Sequence, residues 1–143
     1  WRFLIIEGDA RHKLGELFAE ALRVRNADAA EEALQKARNM PLRAPMLVLV
    51  IASVKPHPKV PEGEQVLAAG CAAHGLLLAA HAQGIGAVWR TGEFSYDPRV
   101  LEGLGVTEQE RLLGFLYLGT PEGRVRSAPV LAPEAIVQRW TGQ

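Results

Sequence analysis

Cysteine is nearly missing from this sequence. It occurs once in 143 residues, at Cys71, so no internal disulfide can form, and a reducing, cytoplasmic setting is expected. An excess of one charge is missing as well. The 16 basic and 16 acidic side chains cancel and form no blocks, which argues against nucleic acid as a partner. No uninterrupted apolar run reaches the roughly 18 residues of a membrane span, and nothing at the start reads as a signal peptide, so no membrane partner is expected. Catalytic signatures are also lacking. There is no G-x-S-x-G elbow, and Ser53, Ser95 and Ser127 have no histidine at a recognisable spacing. Cys71 and His74 can share a helix face, but His81 lies two turns, about 10.5 Å, further along, so no metal site is expected. Gly84-Ile85-Gly86 closes a helix and opens a strand, the reverse of a phosphate-cradling loop.

What is present is a chain that is 48% hydrophobic and long enough for one compact domain over residues 1–143. Arg2 to Glu7 reads as a strand, entered almost at once after Trp1, as in a sequence whose earlier segment lies outside it. Asp9 is placed to cap a helix whose apolar positions are Leu14, Leu17, Phe18, Ala21 and Leu22. A second helix is expected from Asp28, ending before Pro41. The charges around both helices suggest a peripheral pair.

Met46 to Val54 is apolar without alternation, the mark of a strand buried on both faces. After a proline-rich connector, Pro61 to Gln83 forms the longest helix, apolar on nearly every side and rich in small residues. Burial all round is expected for it, with one face forming an intersubunit contact. Gly84 caps it, and Ala87 to Thr91 and Leu112 to Leu118 complete four strands interleaved with helices, a layered α/β arrangement.

The chemically informative group is Trp89-Arg90-Thr91-Gly92. A guanidinium at the end of an apolar strand is costly unless its hydrogen bonds are accepted. One reading pairs Arg90 with a protein carboxylate. The other gives it an anionic or carbonyl-rich planar ligand beside the Trp89 indole. Arg124 and Arg126 can be read either as exposed tail charges or as phosphate contacts.

Several segments together resemble the FMN-dependent nitroreductase family, most closely its small YdjA-like branch. They are Trp1 to Gly8, Lys36 to Pro45, Lys59-Val60-Pro61, Ala69 to Ala72, Ala82-Gln83-Gly84, Val88 to Gly92 and Gly114 to Pro121, in the family's order and spacing. The resemblance implies an α+β fold, an α/β/α sandwich around a mostly antiparallel sheet, working as an intertwined homodimer with FMN at each interface. It implies that Trp89, Arg90 and Thr91 lie against the flavin and that Arg124, with Arg126 as the alternative, approaches its phosphate. Ala79, Ala80, His81, Ala82, Gln83 and Gly84 match the family's nicotinamide-nucleotide segment. The family's Arg-Arg-Ser helix, which grips the FMN phosphate and ribityl chain, has no counterpart here; Trp1 resembles the last residue of the Gln-Pro-Trp motif that follows it. The implied activity is ping-pong transfer: NADH or NADPH reduces FMN, which then reduces a nitroaromatic or quinone-like acceptor. Arg90 would favour the reduced, anionic flavin. The alternative is a non-catalytic dimer binding a small ligand on the same scaffold.

Overall fold

The computed structural model describes residues 1–123, 127 and 129–142. Four strands, β1 (Arg2–Glu7), β2 (Met46–Ser53), β3 (Gly86–Arg90) and β4 (Glu110–Gly119), form one sheet in the order β1-β2-β4-β3. All three pairings are antiparallel. Helices α1 (Ala10–Arg25), α2 (Glu31–Asn39) and α4 (Pro98–Gly103) cover one face, and α3 (Glu62–Ala82) covers the other. The chain is therefore an α+β sandwich of three layers, as the resemblance implied.

The central strand explains the unalternating sequence. Leu47, Leu49 and Ile51 enter the core beneath α1, whereas Val48, Val50 and Ala52 enter the core beneath α3. Strand residues alternate between faces, so a strand covered twice must be apolar throughout. Each of its large aliphatic side chains gains about 1.5–3 kcal/mol from burial.

The peripheral reading of the first two helices is overturned. Leu14, Phe18 and Ala21 of α1 are core residues, joined by Leu34 and Ala37 of α2. Their charges gather on the outer surface and leave an uncharged inner stripe. Phe18 stacks on Phe94 with ring centroids 4.3 Å apart and meets Phe115 edge-on at 5.4 Å. The helices cross closely at Gly15, where a side chain would press into the backbone carbonyl of Arg38. Two details at the helix starts also differ. Asp9 stands at the start of α1 without a side-chain capping bond. The second helix begins at Glu31 rather than Asp28, because Asn26 accepts the Asp28 N–H at 3.2 Å and holds that stretch as a turn.

Helix α3 has the length and hydropathy of a membrane span, yet it lies along the sheet as an outer layer. Its inner stripe is small, with Ala69, Ala73 and Ala80 buried. Leu67 and Leu78 on the other side are 70% and 57% exposed, so burial all round is not realised within one chain. Val66, Leu76 and Leu77 flank these alanines, half-buried, on the side that meets the sheet.

One ion pair ties three strands together. Arg2 donates to both Glu110 carboxylate oxygens at 2.7 and 2.8 Å. The Ser53 hydroxyl and the Thr107 backbone N–H add bonds of 2.9 and 3.1 Å. These four donors hold the Glu110 carboxyl well below its ordinary 4.5, at about 2, with the Arg2 hydrogen bonds contributing most.

Candidate functional site

The site is built on the edge strand β3. Helix α3 stops before it in a complete C-terminal cap, with Gly84 at φ 72°, its N–H bonded to His81 O at 3.0 Å and that of Ile85 to Ala80 O at 2.9 Å. The chain then turns directly into β3, which among the described residues pairs only with β4. The β2–β4 register shifts between Val50 and Ile51, opposite Gly114. Gly114 has φ 136°, and a Cβ there would lie 2.5 Å from Arg90 O and 2.6 Å from Trp89 Nε1. This bulge lets the Trp89–Thr91 backbone lie close against β4.

Alternation along β3 separates the two residues the sequence had grouped. Trp89 packs with the α3-side core, and its indole N–H donates to Leu113 O at 3.0 Å. The indole therefore supports the strand from beneath and its donor is already used. Val88 and Arg90 project from the opposite face, which is uncovered at this edge, and both are exposed. The carboxylate pairing considered for Arg90 is not found. Among the described residues, no ion pair or side-chain hydrogen bond engages Arg90, Arg43 or the Tyr117 hydroxyl.

Thr91 is exposed just past the strand and is followed by Gly92 at φ 124° and the 3₁₀ turn Glu93–Ser95. This loop is fastened to α1. Arg25 pairs with Glu93 at 2.6 Å and Asp97 at 3.2 Å, while its guanidinium lies 5.2 Å from the Phe94 ring centre. Asp97 in turn caps α4 through the Arg99 and Val100 N–H groups.

A cleft of about 730 Å³ opens where β3 and β4 meet the end of α3. Its volume suits a cofactor or small substrate. Of the predicted nicotinamide segment, His81 and Gly84 line it. Ala80 is buried instead, and Gln83 turns back to donate to Ala79 O at 3.0 Å. Two lining residues carry chemistry that the sequence did not announce, Arg43 and Tyr117. Burial raises the Tyr117 phenol above its ordinary value, and the nearby positive charges of Arg43 and Arg90 oppose that rise. Both guanidiniums therefore act on one hydroxyl. Arg124 and Arg126 lie outside the described residues. Cys71 and His74 are both exposed on α3, and no set of three possible metal ligands converges among the described residues.

Comparison with known proteins agrees with this architecture. Residues 1–120 match the nitroreductase family. Over 122 residues the chain is 41% identical to "Putative NAD(P)H nitroreductase YdjA" of Escherichia coli, a match covering 85% of this chain and 66% of that protein. The chain thus spans just under two thirds of the length of the curated relatives it matches. Among solved structures, a nitroreductase-like family protein from Bacillus cereus superposes with a TM-score of 0.78 at 21% identity, covering 99% of this chain and 74% of that one. A nitroreductase with bound FMN from Bacteroides fragilis gives 0.63 at 25% identity, covering 97% and 75%.

Proposed function

The chain belongs to the nitroreductase family, and from that premise we propose that it is an FMN-dependent oxidoreductase using NADH or NADPH. The observation that carries this reading is Arg90. Its guanidinium is exposed on the open face of β3, at the strand end away from the cleft, with no carboxylate partner among the described residues. The residues present fit a flavin. The Gly114 bulge holds the backbone of Trp89, Arg90 and Thr91 against β4, and Arg90, unpaired among the described residues, can donate to ring carbonyls.

When bound, FMN supplies the two-electron chemistry, taking reducing equivalents from NADH or NADPH in one half-reaction and giving them to a nitroaromatic or quinone-like acceptor in the next. The chain's own residues bind and orient. Arg90 places positive charge where negative charge accumulates on reduction, a preorganised electrostatic role needing no proton transfer. Trp89 positions that strand from below through its bond to Leu113 O. Arg124 or Arg126 would receive the flavin phosphate, and His81 and Gly84 lie where a nicotinamide nucleotide can approach.

The active form is a homodimer, with the exposed outer side of α3 around Leu67 and Leu78 as the pairing surface. Its setting is the cytoplasm, and neither nucleic acid nor membrane is a partner.

The test is an FMN titration of the purified protein. Binding should shift the flavin absorbance and quench its fluorescence, and NADH or NADPH should then bleach the band. Arg90→Ala should weaken binding or lower the reduction potential of what binds. A protein that stays colourless at saturating FMN would overturn the reading and leave the non-catalytic ligand-binding dimer. Wild-type potential and turnover in flavin-loaded Arg90→Ala would remove the role given to Arg90.

A further inference from the structure

The cleft at the end of β3 is chemically lopsided. Pro45, Leu77, Ile85 and Val88 give it apolar walls, while Arg43 and Tyr117 bring polar groups to one side. Arg43 ends the 3₁₀ turn Met40–Arg43, just before β2, and is exposed. Tyr117 lies on β4 with its ring against the α1-side core and its hydroxyl within the electrostatic reach of both Arg43 and Arg90. Among the described residues, the only carboxylate lining the cleft belongs to Glu122, exposed beyond the end of β4.

Arg43 and Tyr117 line the same cleft, with the positive charge of Arg90 in reach, and among the described residues neither the Arg43 guanidinium nor the Tyr117 hydroxyl has a side-chain partner. An anion placed between them would accept the hydrogen bonds of both and be complementary to the local positive charge. A guanidinium suits a carboxylate especially well, because its paired N–H groups match the two oxygens. The apolar walls favour a flat hydrocarbon body attached to that anion.

We propose that Arg43 and Tyr117 form an anion subsite that selects aromatic acceptors bearing a carboxylate over neutral acceptors with the same ring. The word acceptor rests on the oxidoreductase reading; the binding preference does not. A flavin or nucleotide phosphate offers similar anionic oxygens, so the test separates the sources.

Calorimetric titrations with 4-nitrobenzoate and with neutral 4-nitrotoluene are run on the wild type, Arg43→Gln and Tyr117→Phe, each with and without FMN. FMN affinity is measured alongside, and circular dichroism checks that the variants are folded. Arg43 is exposed and Tyr117→Phe keeps the ring, so both should fold. In the wild type, 4-nitrobenzoate should bind at least tenfold more tightly than 4-nitrotoluene in one or both states. Arg43→Gln should erase that ratio, and Tyr117→Phe should reduce it several-fold, with FMN affinity unchanged. Equal wild-type affinities for the two probes would overturn the proposal. So would an Arg43→Gln variant that loses FMN affinity but keeps the ratio, which would assign this wall to the flavin phosphate. If no variant binds FMN, the oxidoreductase reading fails while the flavin-free titrations still decide the subsite.

Discussion

Replacing Glu110 with glutamine should destabilise the fold in a way that disappears in acid. The carboxyl is held at about 2 instead of 4.5 by Arg2, Ser53 and Thr107. Each tenfold change in proton affinity corresponds to about 1.36 kcal/mol, so that displacement sets an upper figure of about 3 kcal/mol. Arg2 is 38% exposed, and solvent screens its share, which brings the expected loss to about 1–2 kcal/mol at neutral pH. The carboxyl is more acidic in the folded state. Its contribution is therefore fully present above pH 4.5 and lost as pH falls from there toward 2. Urea unfolding of wild type and Glu110→Gln, followed by tryptophan fluorescence at pH 7, 5, 4 and 3, measures the difference directly. Comparing the two proteins at each pH cancels the titration of the other carboxylates. A stability gap that stays constant between pH 7 and 3 would refute the reasoning, because it would show that the amide loses packing or geometry rather than charge.

Other positions have equally definite expectations. Gly114→Ala combines a backbone strain of about 1–3 kcal/mol with contact against Arg90 O and Trp89 Nε1. It should lower the unfolding midpoint and weaken FMN binding together. Gly15→Ala gains about 1 kcal/mol of helix propensity but pushes α1 away from the Arg38 carbonyl. The backbone cannot give as a flexible side chain would, and overpacking of about 1–3 kcal/mol should leave the variant less stable than wild type by chemical denaturation. Leu67→Glu combined with Leu78→Glu should shift sedimentation toward a single chain, with any loss of helical circular dichroism confined to what loosening of α3 accounts for. An unchanged dimer would place the pairing surface elsewhere.

The strands and the long helix were legible because their signals are local. The unbroken apolar run of β2 requires cover on both faces, and Gly84 marks the end of α3 wherever that helix packs. The depth of α1 was not legible, since charges on an outer surface look the same in a sequence whether the inner stripe meets a core or water. The ligand segment was half legible. Alternation along a strand already puts Trp89 and Arg90 on opposite sides, but only the sheet order tells which side lies under α3 and which is open. Arg43 and Tyr117 gave no local signal. They stand on distant segments, and only the pairing of β2 with β4 brings the two into one cleft.

The thin inner stripe of α3 has a thermodynamic consequence. Alanine buries little area, and only Ala69, Ala73 and Ala80 of α3 are buried within one chain, while Leu67 and Leu78 stay largely exposed. The apolar area of Leu67 and Leu78 is therefore free energy that the chain itself does not use to hold this layer in place. If a second copy supplies it, folding of α3 and association become a single equilibrium, and mass action governs both. The melting temperature should then rise with protein concentration. Dilution should loosen α3 before it disturbs the sheet, so that amide exchange along this helix reports on assembly.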